Sequence, residues 1–156
     1  DPADRRGLDL QARVDRGLLR GLPPALLVTP PRIAAPSPAA RAALGYLHGN
    51  CGHCHNRVGP LAPLGLTLAQ RVGTASGVLD SLIGQASGFR PAPADTRAQR
   101  IVPGQPDRSV LAQRMRSRNP IARMPPLGSH VADAEGLALV EHWIRQDLPV
   151  TQEPHP

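Results

Sequence analysis

The stretch Ser37-Pro38-Ala39-Ala40-Arg41-Ala42-Ala43-Leu44-Gly45-Tyr46-Leu47-His48-Gly49-Asn50-Cys51-Gly52-His53-Cys54-His55 decides how the chain is read. Serine is a strong helix N-cap, and a proline at the first helical position costs nothing, because its missing N–H would be unpaired anyway. The run that follows puts Ala43, Leu44 and Leu47 on one face with Tyr46 beside it, so a helix is predicted over 38–48 and expected to end at Gly49-Asn50. Immediately after come the two cysteines of the chain, three residues apart, and then a histidine. A disulfide between residues this close would shut only a tiny loop and stabilise little. Two thiols and an imidazole at the end of a helix call for a different chemistry.

Cys51-Gly52-His53-Cys54-His55 has the Cys-x-x-Cys-His form of c-type haem attachment. The spacing has a physical reason: two thiols three apart can add to the two vinyl groups of one haem, and the next histidine then lies beneath the iron as an axial ligand. Other readings compete. A zinc centre needs four ligands, and no second cysteine pair exists. A thioredoxin-like redox pair needs a preceding strand, where a helix is predicted here. A chance match is the third. Met124, in Arg123-Met124-Pro125-Pro126-Leu127-Gly128, favours haem, because a thioether is a soft ligand suited to the iron face opposite a histidine. The two prolines after it stiffen the loop. Met115 lies in a predicted helix at core spacing and reads as core filler.

Working outward, the 156 residues are 40% hydrophobic, but they include one Trp, one Tyr and one Phe against 19 prolines, which excludes a coiled coil and a core of stacked aromatics. A core so short of large side chains calls for filler, and a bound cofactor would supply it. No apolar run approaches the ~18 residues needed to span a bilayer. All 18 basic residues are arginine, against 12 acids, for a net charge of +6. The excess sits within 90–123, where eight arginines face Asp95 and Asp107. Asp1 to Arg20 is charged throughout and does not read as an export signal; either a signal was removed or the chain was cut from something longer.

Leu10, Val14 and Leu18 predict a short amphipathic helix over about 8–20. Pro23, Pro24, Pro30, Pro31, Pro36 and Pro38 then predict an extended strap without helix, tacked down by Ala25-Leu26-Leu27-Val28. A further helix is expected over 107–117, with Val110, Leu111 and Met115 inward. The last helix should start near Asp133, carry Leu139, Val140, Trp143 and Ile144 as its buried stripe, and stop at Pro149. The region 62–100 reads poorly apart from a short helix suggested by Leu79, Leu82 and Ile83. The expected class is mainly α and loop-rich, with a helix and strap at 1–36, a haem domain at 37–148 and a tail at 149–156.

These parts resemble, in order, the class I c-type cytochromes. They are Gly45-Tyr46-Leu47-x-x-Asn50, the Cys51 to His55 motif, Gly59-Pro60-Leu61, Met124-Pro125-Pro126, and Leu139-Val140-x-x-Trp143-Ile144. The resemblance implies a cytochrome c fold in which the first and last helices cross beside one covalently bound haem c. Tyr46 and Leu47 would then meet Val140 and Trp143, and the Pro60 carbonyl would accept a hydrogen bond from His55. A narrower resemblance covers about 37–148. There Arg100-Ile101-Val102-Pro103-Gly104-x-Pro106-x-x-Ser109-x-Leu111-x-x-Arg114 is similar to haem domains attached to larger periplasmic or secreted proteins, some serving dehydrogenases. The run from Arg16 to Pro23 is similar to their leader.

The candidate site is therefore Cys51, Cys54, His55 and Met124, with iron on His55 and Met124. Arg100 and Arg114 are candidate partners of the haem propionates. His53 should face solvent; His48 and His130 are alternative distal ligands. Arg114, Arg116, Arg118 and Arg123 suggest a positive surface that steers an acidic redox partner. Nucleic acid is disfavoured by the scarcity of aromatics for stacking. The expected function is single-electron transfer between proteins rather than catalysis, in the bacterial periplasm or beyond. The rivals are a gas-sensing or catalytic haem domain and the haem-bearing tail of a dehydrogenase complex.

Overall fold

The computed structural model describes residues 9–71, 77–91 and 97–148. Its helices are α1 (Leu10–Asp15), α2 (Ala25–Val28), α3 (Pro38–Cys51), α4 (Val78–Leu82), α5 (Val110–Arg116) and α6 (Ala134–Gln146), with 3-10 turns at Ala62–Leu64 and Pro106–Arg108. The chain is mainly α; among the described residues there are only isolated bridges, Ile83 to Ile101, Ala86 to Gln99 and Gln99 to Ser109, and no strand.

The core lies between α3 and α6. Ala40, Ala43, Leu44 and Leu47 from the first pack in one cluster with Val140, Trp143 and Ile144 from the second, joined by Leu68, Val78, Leu82, Ile101 and Ala112. Trp143 is fully buried and the largest side chain there. Both helix starts follow from their caps. Ser37 Oγ accepts from the Ala40 amide at 2.9 Å, and Asp133 Oδ1 from the Gly136 amide at 2.9 Å.

The same two caps tie the helices together. Ser37 Oγ also donates to the carboxylate of Asp147, the C-cap of α6. At the other end the Tyr46 hydroxyl donates to Asp133 Oδ2 at 2.9 Å. Each end of α3 is thus pinned to the opposite end of α6, so the two run in opposing chain directions. Tyr46 fits because residue 136 has no side chain: a Cβ there would lie 2.3 Å from the ring.

Several sequence expectations need correction. α3 does not end at Gly49-Asn50 but runs to Cys51, with the Gly52 amide bonded to the Leu47 and His48 carbonyls and Asn50 Nδ2 folded back onto the Tyr46 carbonyl. The N-terminal helix stops at Asp15, because Gly17, at φ +67°, turns the chain out of it, and no residue of α1 is buried. The proline-rich stretch does hold one helical turn, α2. Its prolines precede the turn and serve as acceptors, Pro23 for Leu26 and Pro24 for Leu27, so their missing N–H groups are not needed. No residue of that turn is buried; Ile33 and Ala35 are what pack on the core.

In the third helix a 3-10 turn takes the first positions and Ala112 is more buried than Leu111 or Met115. Between 101 and 109 the chain is knotted by the fully buried Ser109, whose Oγ accepts from the Val102 amide and donates to the Gln105 carbonyl, each at 2.9 Å. Gly104 makes the turn at φ +71°, and its amide docks the knot on the Ile144 carbonyl of α6. Pro149, the expected stop of the last helix, and the tail at 149–156 lie outside the described residues.

Gly136→Ala would force the Tyr46 ring away from Asp133 and should destabilise the fold by about 1–3 kcal/mol in denaturant titration. In a Tyr46→Ala background the same change should be harmless, or favourable by up to ~1 kcal/mol through helix propensity; an unchanged cost there would refute the contact. Burial, with the bond to Asp133, pushes the Tyr46 hydroxyl up to about 12. The fold therefore favours the neutral phenol. Its contribution is complete below about pH 10, the unfolded value, and is lost as pH rises through about 12. Tm should fall less steeply across that window in Tyr46→Phe than in the parent chain; equal slopes would mean that the phenol is not responsible.

Candidate functional site

α3 delivers Cys51 as its last residue, and the helical turn continues past it. The Cys51 carbonyl accepts from the Cys54 amide at 3.1 Å and from the His55 amide at 2.8 Å, which holds both cysteines and the histidine within a single turn. The two thiols are not bonded to each other; Cys51 is half-buried and Cys54 exposed. Gly52 between them admits a close neighbour, for a Cβ there would lie 2.7 Å from the His48 carbonyl and 3.1 Å from Ala69 Cα. The chain at 68–69 crosses at that point, its amides bonding the His55 carbonyl. Asn56 locks the exit, its Oδ1 accepting from the amides of Val58 and Gly59.

Electrostatics set the protonation states. Burial pushes the Cys51 thiol up to about 11, with the nearby Cys54 adding to the shift. His55 is held below its ordinary value first by burial and then by the nearby guanidinium charges of Arg114 and Arg100. Neutral imidazole is the form that ligates a metal. Its Nδ1 is buried and without a partner among the described residues, so the hydrogen bond expected to the Pro60 carbonyl is not made.

Met124 lies half-buried in the loop between α5 and α6, and its amide donates to the Arg114 carbonyl at 2.9 Å. The Met124-Pro125 peptide is cis. Pro120, Pro125 and Pro126 leave this loop short of N–H donors, and arginines fill the deficit. Arg114 Nε donates to the Ala122 carbonyl at 2.8 Å, Arg123 Nε to the Pro126 carbonyl at 3.2 Å, and Arg118 Nη1 to the Ser129 carbonyl at 3.0 Å. Arg116 instead pairs with Asp107 and Glu141. Each of the four arginines expected to form a positive docking surface is bonded: three lace the methionine loop and Arg116 pairs with acids. A proline-rich loop flanked by arginines is the sequence signal for this role.

Arg114 joins the two halves of the site. It is close enough to depress His55, its carbonyl holds the Met124 amide, and its guanidinium lies 4.3 Å over the Phe89 ring. Burial lowers its own pKa. Its terminal amino groups meet no acceptor among the described residues, which suits it to a carboxylate. Arg100 differs, since its terminal nitrogens hold the Leu64, Gly65 and Ser81 carbonyls at 2.6 to 2.9 Å. It braces the 3-10 turn against α4.

The remaining candidates separate cleanly. His53 is exposed, as expected. His48 Nδ1 accepts from the Gln70 amide at 3.1 Å, and His130 is exposed. Among the described residues no three His, Cys, Asp or Glu side chains form a group that could hold a metal ion. A cavity of about 280 Å³ opens between Asn56, Leu66, Thr67 and Ser81, and it includes neither thiol, nor His55, nor Met124. Large apolar side chains are exposed close in sequence to the candidate residues: Val58 (92% exposed) shortly after His55, and Ile121, Leu127 and Val131 (84–85%) around Met124. No helix among the described residues is long and apolar enough to cross a membrane.

Comparison with protein-family models, with curated proteins and with solved structures finds no match to this chain.

With a pKa of about 11, only about one Cys51 in a thousand is thiolate at pH 8. An alkylating reagent should therefore modify exposed Cys54 first, with Cys51 lagging by about tenfold or more and its rate still climbing above pH 10. Equal rates in peptide mapping would contradict the burial of Cys51.

Proposed function

We propose that this chain is a mono-haem c-type electron carrier, with haem c attached through Cys51 and Cys54 and ligated by His55 and Met124, on a class I cytochrome c fold. The observation that carries the reading is the convergence at Arg114. That residue is within electrostatic reach of a half-buried, neutral His55 and holds the backbone of Met124, 69 residues further along the chain. The donor set fits the group: two unbonded thiols on one helical turn, an imidazole with an unpartnered buried nitrogen, a thioether in a braced loop, and an arginine with amino groups open to a carboxylate.

When bound, the haem supplies a one-electron couple whose potential a methionine ligand raises. The chain's residues do the rest. The thiols of Cys51 and Cys54 anchor the group, which matters where the core is small. His55 offers its lone pair without first losing a proton. Met124 is presented from a loop that its arginines hold still, so little of the protein reorganises on electron transfer. Val58, Ile121, Leu127 and Val131 offer exposed apolar surface on which a docked partner would exclude water.

Attachment to cysteines of this kind places the protein in the periplasm or outside the cell. Its partners are redox proteins, a dehydrogenase among them, with an acidic rim. The hydrogen bonds of Arg114, Arg118 and Arg123 to neutral carbonyls leave their charges intact, so these three steer an acidic partner, whereas Asp107 and Glu141 cancel Arg116.

The test is an absorption spectrum of the protein expressed in a host able to attach haem, oxidised and reduced, with carbon monoxide added to the reduced form. A low-spin c-type spectrum indifferent to carbon monoxide is expected. Met124→Ala should keep the haem attached, lower the potential and admit carbon monoxide. High-spin parent protein, or ready carbon monoxide binding, would move the function to sensing or catalysis, and absence of haem would end the proposal.

A further inference from the structure

Arg118 is the most connected side chain of the methionine loop, although its charge alone suggests a place on the open surface. Its Nη2 donates to the Met115 carbonyl and its Nε to the Arg116 carbonyl at 3.4 Å, while Nη1 reaches the Ser129 carbonyl at 3.0 Å. The first two acceptors belong to the last turn of α5, where carbonyls have lost their helical partners. The third lies on the far limb of the loop. Ser129 then turns back, its Oγ donating to the Pro125 carbonyl, next to Met124. The path from Met115 through Arg118 and Ser129 to Pro125 closes a ring of hydrogen bonds around residues 119–125, with Met124 inside it.

We infer that Arg118 is the positioning residue for Met124, clasping the end of α5 to the far limb of the loop and so fixing how firmly the thioether is presented. The inference rests on the proposed role of Met124 as a haem ligand. Only a guanidinium can make this clasp, since it serves three carbonyls at once in a fixed fork, which an ammonium on a flexible stem does not. Arg114 and Arg123 hold the near side of the loop at Ala122 and Pro126, but neither links it to Ser129. Without Arg118 the loop keeps its near anchors and loses its closure, so Met124 samples positions away from the iron.

The test compares Arg118→Gln and Arg118→Lys with Arg116→Gln in the haem-loaded protein. Arg116 is an arginine of the same helix end whose side chain pairs with Asp107 and Glu141 and touches no loop carbonyl, so it controls for lost charge. Three quantities are read: carbon monoxide affinity of the reduced form, the methionine–iron charge-transfer absorption of the oxidised form, and hydrogen exchange at the Met124 amide. Arg118→Gln should raise carbon monoxide affinity and amide exchange about tenfold each and weaken the charge-transfer band. Lysine should fail to rescue, and Arg116→Gln should match the parent. A haem-loaded parent with Arg118→Gln indistinguishable from Arg116→Gln overturns the positioning role alone. A parent without haem overturns the ligand reading and the positioning role together, and this is seen before any variant is made.

Discussion

The close approach of α3 and α6 is the contact on which the rest of the molecule depends. It is possible because Gly136 leaves room for the Tyr46 ring, and it is fixed because Asp133 caps α6 and accepts from the Tyr46 hydroxyl with the same carboxylate. Both parts of the candidate site hang from this pair. α3 carries Cys51 at its end. α6 receives the 101–109 knot through Gly104 and Ile144 and packs on α5 in the core, where Ala112 lies in one cluster with Val140, Trp143 and Ile144, and α5 in turn launches the Met124 loop. A shift between the two helices would therefore move the thiols relative to the methionine.

Much of this frame could be read in the chain because it rests on local rules. Ser37-Pro38 and Asp133 announce helix starts through chemistry confined to a few residues, and Val140, Trp143 and Ile144 announce a buried face by spacing alone. What could not be read depended on partners distant in sequence. Gly49-Asn50 has the composition of a helix end, yet the helix passes through it, because tertiary packing outweighs a propensity penalty of about 1 kcal/mol per glycine. The turn at Ala25–Val28 is hidden when prolines are counted without regard to the side of the turn on which they stand.

The site divides in the same way. Cys51, Cys54 and His55 lie within one turn, so their adjacency follows from covalent spacing, and the backbone bonds to the Cys51 carbonyl keep that turn closed. The arginines could not be placed from composition. Charge suggested solvent, but a guanidinium is also the densest hydrogen-bond donor among side chains, and a loop interrupted by prolines is rich in unanswered carbonyls. Arg100, Arg114, Arg118 and Arg123 all answer such carbonyls. This arrangement keeps their positive field while taking away their freedom, which reconciles a basic segment with an ordered one.

That loss of freedom bears on the apolar side chains the same loop holds out. Ile121, Leu127 and Val131 stand exposed on backbone that is already tied down at Ala122, Pro126 and Ser129. An ordinary flexible loop would have to freeze when another surface landed on it, at a cost of about 1–2 kcal/mol of backbone entropy for each residue ordered. Here most of that ordering took place when the chain folded. Whatever covers these residues meets a firm platform, and less of the contact energy is spent on ordering the loop.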